Sequence, residues 1–234
     1  MKQRNEEADV DKSVLRLSMD AKATVKVGSF ARGGKSRVPT KAVDHDFEPA
    51  ATVTPVGILL PDSDELFLYG VTSKVTSDCL VDRLVDWWES VKERFSHITT
   101  LLINLDNGPE SHSRRTQFMQ RLVEFGQRYG ITIRLAYYPP YHSKYNPIER
   151  CWGILEQHWN GALLDSVEAV IKYARTMTWK GKHPAVALVT ATYQTGVKLT
   201  KQAMDALETQ LQRLPHLDKW FVDIGYPSPA IRDS

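Results

Sequence analysis

Residues 137–149 read Y-Y-P-P-Y-H-S-K-Y-N-P-I-E, a stretch that places a proline pair and the start of a helix directly after a strand. The strand-like run over 131–136 ends at the prolines, because proline lacks the N–H that a sheet ladder needs. Asn146 is typical of a helix N-cap, so Glu149 is expected in the first turn of a helix over 147–159. The stretch therefore fixes a carboxylate after a strand, either as a metal ligand or as part of an ordinary capping box.

The composition is typical of a soluble globular protein, since 42% of the 234 residues are hydrophobic and 25% are charged. A chain of this length can bury a sizeable core. No apolar run approaches the roughly 18 residues of a membrane span, and the first residues lack the apolar region of a secretory signal. Cys79 and Cys151 fit neither a disulfide framework nor a zinc site, so we expect a cytoplasmic protein.

The formal net charge of +2 indicates no particular partner, but the basic residues are unevenly distributed. Arg114 and Arg115 begin the helix predicted over 114–129, and His142 and Lys144 lie in the proline-rich stretch. A solvated surface explains any one of these side chains, whereas together they permit a face that binds phosphate groups. A further basic segment, interspersed with glycines, contains Lys22, Lys26, Arg32, Lys35, Arg37 and Lys41.

The order of the predicted elements indicates a mixed sheet with helices packed on it, as in the ribonuclease H-like α/β fold. Residues 1–12 are polar and are expected to be loose. Two hairpins follow, the first formed by strands over 14–20 and 23–28 and the second closed by P-D-S-D at 61–64. Helices and strands then alternate, with helices over 80–95, 114–129 and 147–159 and strands over 99–105 and 131–136.

We therefore predict a ribonuclease H-like domain over 13–160 after the loose N-terminal segment, and a mostly helical C-terminal extension over 161–234. Residues from about 29 to 52 are rich in glycine, proline and charge and predict a loop or insertion. D-H-D-F at 44–47 could chelate a metal there, although a solvated turn anchored by its phenylalanine is the simpler interpretation. The pattern over 184–192 favours neither helix nor strand.

Three acidic residues lie where a sheet of this kind can gather them. The first and fourth core strands of such a sheet can lie side by side, which brings Asp20 to Asp106, and Glu149 then closes the group. Clustered carboxylates resist ionisation without a cation, and their hard oxygen donors suit Mg²⁺ or Mn²⁺. Two such ions about 4 Å apart suit phosphodiester displacement. Taken singly, the three are explained as a hairpin residue, the first residue of a D-N-G turn and a capping-box residue.

Several motifs together resemble those of insertion-sequence transposases with a D-D-E catalytic domain. The block P-P-Y-H-S-K-Y-N-P-I-E at 139–149 is the most specific, whereas L-D-N-G at 105–108 is weak alone. The chain is most similar to the Rhodopirellula type, distant relatives of the mariner superfamily, from about Ser18 to Ala206. The other motifs are S-M-D-A-K-A-T-V-K-V-G-S-F at 18–30, D-H-D-F at 44–47, W-W at 87–88, H-W-N-G at 158–161, T-M-T at 176–178 and Y-Q-T-G-V-K-L at 193–199.

The resemblance implies that Asp20, Asp106 and Glu149 form a catalytic triad that holds Mg²⁺ or Mn²⁺, as a pair of ions. It implies metal-dependent cleavage of DNA at transposon ends, followed by strand transfer. The expected partners are the transposon ends and the target DNA, with a homo-oligomer assembled on that DNA at the nucleoid and no membrane partner. The candidate DNA-contacting residues are Arg114, Arg115, His142 and Lys144.

The chain departs from the family pattern in three respects. Pro147 stands where the family often has lysine, and the segment after the second aspartate reads G-P-E-S-H at 108–112. The sequence shows no helix-turn-helix region ahead of the first catalytic strand, so we expect a separate end-recognition region or protein, or a truncated copy. Two alternatives to a transposase stay open: a nuclease of the same fold that does not join strands, and a non-catalytic remnant that binds DNA.

Overall fold

The computed structural model describes residues 1–30, 48–139 and 145–225, so the D-H-D-F motif at 44–47 lies outside the described residues. In these ranges the helices are α1 (Lys2–Val10), α2 (Ser77–Val91), α3 (Thr116–Tyr129), α4 (Pro147–Trp159), α5 (Val167–Thr176) and α6 (Lys201–Glu208). The strands are β1 (Val14–Ala21), β2 (Val25–Val27), β3 (Ala51–Leu60), β4 (Glu65–Val71), β5 (Thr100–Asp106), β6 (Thr132–Tyr138), β7 (Ala185–Val189), β8 (Leu211–Arg213) and β9 (Phe221–Ile224).

The chain divides into two compact units, and the boundary between them falls within β1. The first unit comprises Met1–Leu17, Ser77–Ser143 and Gly196–Ser234. The second unit comprises Ser18–Thr76 and Lys144–Thr195. Each unit contains part of the sheet and helices of its own, which is the α/β architecture that the sequence predicts.

The second unit is built on the strands β7, β4, β3 and β1, in that order. Strands β3 and β4 form the predicted hairpin across P-D-S-D, and β7 runs parallel to β4. Strand β1 pairs antiparallel with β3, which places Asp20 opposite Gly57. Helices α4 and α5 contribute Trp152, Leu155, Trp159 and Val170 to the apolar core of this unit, together with side chains of β3 and β4.

The predicted hairpin between the strands over 14–20 and 23–28 is wrong, because β2 pairs with β3 and does not fold back on β1. After β1 ends, the Lys22 N–H donates to the Pro55 carbonyl at 2.8 Å, so the chain keeps running along β3. Val25 then lies opposite Val53, farther along the same strand. The segment read as the second arm of a hairpin therefore continues the line of the first arm.

The first unit orders its strands as β1, β5, β6, β9 and β8, so the predicted first and fourth core strands are neighbours. Residues 100–105 of β5 are all buried, as its near-continuous apolar sequence predicts for a central strand. Strand β6 runs parallel to β5 and antiparallel to β9. Helix α3 ends at Gly130, whose φ of 66° is the left-handed geometry expected of a glycine C-cap.

Two terminal segments differ from their predictions. Residues 2–10 form α1, where the sequence predicted a loose segment; Ala8 is buried and the Arg4 guanidinium lies 3.1 Å from the Asp223 carboxylate. The C-terminal extension contains α5 and α6 as helices, but it also supplies the strands β7, β8 and β9, which the sequence did not predict. Within the described ranges, no helix is long and apolar enough to cross a membrane.

Candidate active site

Asp20 lies near the end of β1, half-buried, with its carboxylate directed at a tryptophan of α4. The Trp152 indole Nε1–H donates to Asp20 Oδ2 at 2.8 Å. An indole N–H can only donate, so this bond holds one carboxylate oxygen as an acceptor. The Asp20 carboxylate is therefore oriented by a side chain of α4, within the second unit.

The Asp20–Trp152 bond is the middle one of three between α4 and residues 18–22, at the end of β1. Two residues earlier on the strand, Ser18 Oγ accepts from the Ile148 N–H at 3.2 Å. Two residues later, the Lys22 ammonium forms an ion pair with the Glu156 carboxylate. Alternate strand residues advance by about 6.8 Å and every fourth helix residue by about 6.0 Å, so the two spacings nearly match. We call these three interactions the β1–α4 contacts; they keep the helix alongside the strand in the same direction.

The start of α4 departs from an ordinary capping box. Asn146 is the N-cap residue, but its side chain makes no capping hydrogen bond. Its Oδ1 instead accepts from the Ser18 hydroxyl, and both residues are fully buried. Ser18 thus supplies from β1 the acceptor for the helix N–H that an N-cap side chain normally serves. This arrangement fixes Glu149, in the first turn of α4, with respect to the strand that carries Asp20.

Gly57 allows α4 to lie this close to the sheet. A Cβ atom at Gly57 would lie 2.6 Å from Trp152 Cη2 and 2.7 Å from Ile148 Cδ1, both too close for a real contact. The sequence motifs did not indicate Gly57, Ser18 or Trp152 as part of the site. A glycine inside a strand often marks the close approach of another group, so Gly57 is the one of the three that the sequence could have indicated.

Asp106 is the last residue of β5, in the first unit, and is half-buried. Its backbone carbonyl accepts from the Ser111 hydroxyl at 3.3 Å, which closes the loop over 106–111. The Tyr137 hydroxyl, from β6, donates to the Ser111 carbonyl at 2.7 Å. Burial raises the pKa of Tyr137 well above its usual value, so its hydroxyl stays protonated as a donor. The loop after Asp106 is therefore anchored to the neighbouring strand.

The structure brings together the elements that carry Asp20 and Glu149, which share the second unit, while Asp106 belongs to the first unit. Among the residues described, no three histidine, cysteine, aspartate or glutamate side chains form a group that could hold a metal ion. The three candidates are nevertheless half-buried carboxylates at strand and helix ends. Carboxylate oxygens are hard donors, so their chemistry fits Mg²⁺ or Mn²⁺.

The basic candidates lie in different environments. Arg114 is 63% exposed and its guanidinium lies 3.1 Å from the Asp218 carboxylate. Arg115 is 23% exposed; it pairs with Glu110 at 3.0 Å and donates to Ser77 Oγ at 3.2 Å. Arg114 thus faces solvent, whereas Arg115 is held by its own loop and by the first residue of α2. The other two basic candidates, His142 and Lys144, lie outside the described residues.

Comparison with protein families gives a match that covers nearly the whole chain. The family model described as "Rhodopirellula transposase DDE domain" matches residues 1–225. No curated protein matches the sequence.

Comparison with solved structures gives several matches of low sequence identity. The Mos1 transposase paired-end complex with the left transposon end has a TM-score of 0.51 at 12% identity, over 73% of this chain and 49% of that chain. The Mos1 mariner paired-end complex with Mn has a TM-score of 0.48 at 13% identity, over 68% and 46%. The HTLV-2 integrase catalytic core domain with magnesium has a TM-score of 0.40 at 17% identity, over 72% and 92%.

The likeness to the first of these structures supports the predicted ribonuclease H-like fold. The chain spans about half the length of that transposase, since it covers 49% of it.

Proposed function

The chain belongs to the family of Rhodopirellula transposase DDE domains, and from this premise we propose that it is the catalytic domain of a transposase. Its reaction would be metal-dependent cleavage of DNA at transposon ends, followed by transfer of the cleaved strand to target DNA. The observation that carries the proposal is the set of β1–α4 contacts, which fixes the elements bearing Asp20 and Glu149 within one compact unit.

Asp20, Asp106 and Glu149 would hold the metal, as Mg²⁺ or Mn²⁺ and as a pair of ions. Bound there, the ions would supply Lewis acidity to the attacking and leaving oxygens of a phosphodiester. The protein's own part is to hold the carboxylates in place. Asp20 is held by Trp152, and Glu149 lies one residue after Ile148, whose N–H is bound by Ser18.

Contacts to the DNA backbone are assigned to Arg114, Arg115, His142 and Lys144. Arg114 is the best supported because its guanidinium is mostly exposed and therefore accessible to a phosphate. Recognition of the transposon ends would reside in a separate region or protein, and the active form would be a homo-oligomer assembled on DNA at the nucleoid.

A plasmid-nicking assay tests the proposal without knowledge of the cognate ends. Purified protein is incubated with supercoiled plasmid and Mg²⁺ or Mn²⁺, and Asp106→Asn is compared with Asp62→Asn, a change at an exposed turn residue. We expect metal-dependent nicking that Asp106→Asn abolishes and Asp62→Asn leaves intact. Retained nicking by Asp106→Asn would exclude the assigned triad.

A second assay separates a transposase from a nuclease of the same fold. A labelled donor duplex that carries the repeats flanking the gene is mixed with the protein and a target plasmid. Donor strands joined to the plasmid support the transposase, whereas cut donor without joined product identifies a nuclease.

A further inference from the structure

Helix α4 carries two tryptophans that each donate an indole N–H to a carboxylate at 2.8 Å. Trp159 donates to Glu156, three residues before it on the same helix. Trp152 donates to Asp20, which is 132 residues away in the sequence and is a candidate metal ligand. The two bonds have the same chemistry and length, but only the second reaches the proposed catalytic group.

Burial and packing fix the orientation of the Trp152 ring and therefore the direction of its indole N–H. The side chain is only 5% exposed and belongs to the apolar core of the second unit. The ring lies against Gly57, and Gly57 is the residue directly opposite Asp20 in the β1–β3 register. Donor and acceptor are thus fixed by the same small part of the sheet.

Trp152 also shares a helix face with Glu149. The two residues are three positions apart on α4, and residues at this spacing are neighbours on a helix surface. Because Ser18 binds the N–H of Ile148 at the start of the helix, Glu149 and Trp152 are placed together with respect to β1. One helix face therefore carries a candidate ligand and the donor to another candidate ligand.

We propose that Trp152 is a positioning residue, which orients the Asp20 carboxylate for metal binding through its indole hydrogen bond. The inference rests on the proposed function. The terminal torsion of an aspartate is broad, so a carboxylate without such a donor samples many orientations. Hydrogen-bond partners of metal ligands commonly change metal affinity by about 10- to 100-fold when they are removed.

Two matched variants test the proposal. Trp152→Phe and Trp159→Phe each remove an indole–carboxylate hydrogen bond, and each replaces a buried indole of the same core with a smaller phenyl ring. Mn²⁺ binding is followed by the electron paramagnetic resonance signal of the free ion, and the Mn²⁺ dependence of plasmid nicking is measured in parallel. We expect Trp152→Phe to raise the half-saturating Mn²⁺ concentration about tenfold in both assays, and Trp159→Phe to stay within about twofold of wild type.

The outcomes separate this inference from the function on which it rests. If both variants bind Mn²⁺ as wild type does, while Asp106→Asn still abolishes nicking, Trp152 is not a positioning residue and the proposed function stands. If wild type shows neither Mn²⁺ binding nor metal-dependent nicking, the proposed function fails and the inference fails with it.

A measurement on the unaltered protein avoids any effect of the substitutions on folding. The chain has 6 tryptophans, so a ¹⁵N-tryptophan sample gives a small set of indole signals, and the two phenylalanine variants assign two of them. Titration with Mg²⁺ should shift the Trp152 signal and leave the Trp159 signal nearly unchanged. A Trp152 signal that does not move at Mg²⁺ concentrations that support nicking would overturn the proposal.

Discussion

Gly57 decides how closely α4 can approach the strand that carries Asp20. A side chain there would meet Trp152 and Ile148 at less than 3 Å, within a core whose neighbouring residues are almost fully buried. Interiors of this density have no room for an added methyl group, so the helix would have to shift. The residue therefore affects both the stability of the second unit and the geometry of the candidate site.

We expect Gly57→Ala to lower the free energy of unfolding by about 1–3 kcal/mol, because it overpacks this contact. The control is Gly153→Ala on α4, where a Cβ would meet nothing within 4 Å. That change should raise the stability by up to about 1 kcal/mol, since alanine favours a helix more than glycine does. Urea titrations of both variants give the values, and equal effects would contradict the packing argument.

His112, in the loop after β5, gives a prediction about pH. Its Nδ1 accepts from the Arg114 N–H at 3.2 Å, and burial together with the Arg115 guanidinium lowers the pKa of His112 below its usual 6.5. The folded protein therefore disfavours the protonated ring, so stability falls as the pH drops through 6.5 toward the lower folded-state pKa. Between about pH 8 and pH 5, His112→Gln should lose less stability than wild type in urea titrations. Equal losses would exclude this role.

Among the elements, the β1–α4 contacts hold one helix in a fixed register against the end of one strand. The Ser18 hydroxyl serves the N-terminus of α4 from β1, a partner more than a hundred residues away, in place of a local cap. Because of this contact, the start of the helix is expected to stay folded as long as the strand does. The first turn of α4, which contains Glu149, should therefore be as protected as the strand itself.

Replacing Ser18 with alanine should loosen the start of α4. The change removes the acceptor of the Ile148 N–H and a donor to the buried Asn146, at a cost of about 1–3 kcal/mol. Hydrogen exchange should accelerate at the first turn of α4. In the control Ser166→Ala, which removes the local cap of α5, the acceleration should be confined to α5. Unchanged exchange in α4 would show that Ser18 does not cap it.

The sequence predicted the elements whose signals are local. Helix α4 begins at Pro147 after Asn146, and β5 is a continuous apolar run, as predicted. The elements that the sequence did not predict depend on partners distant in the chain or are very short. Helix α1 buries only Ala8 and is held by an ion pair across 219 residues of sequence, and β8 has only 3 residues. The Trp152–Asp20 bond could not be predicted for the same reason, because its two residues are 132 positions apart and no local sequence pattern indicates it.

Across the chain as a whole, the family match over residues 1–225 includes residues of both compact units. The three carboxylates were predicted from motifs and strand order, and each lies at the end of the element on which it was expected, while their role as a triad stays a prediction. What the sequence could not give is how their neighbours hold them. The proposed DNA binding would depend on charges spread over the surface and not on a single site.

We expect Arg114→Ala to weaken binding of a random DNA duplex and to reduce the slope of log affinity against log salt by about 0.9, the value for one phosphate contact. The matched control is Arg128→Ala. Both arginines are 63% exposed and both lie within about 3.3 Å of a carboxylate, of Asp218 and Glu89 respectively. Fluorescence anisotropy over a range of salt gives the slopes, and identical slopes for the two variants would remove Arg114 from the DNA-binding face.

The assignment of the catalytic triad is tested by anomalous diffraction from crystals of the protein with a short DNA duplex, soaked in Mn²⁺ at a concentration that supports plasmid nicking. We predict a Mn²⁺ peak coordinated by carboxylate oxygens of Asp20, Asp106 and Glu149. If these three carboxylates hold no Mn²⁺ in protein that nicks DNA under the same conditions, the assignment of the catalytic triad is contradicted.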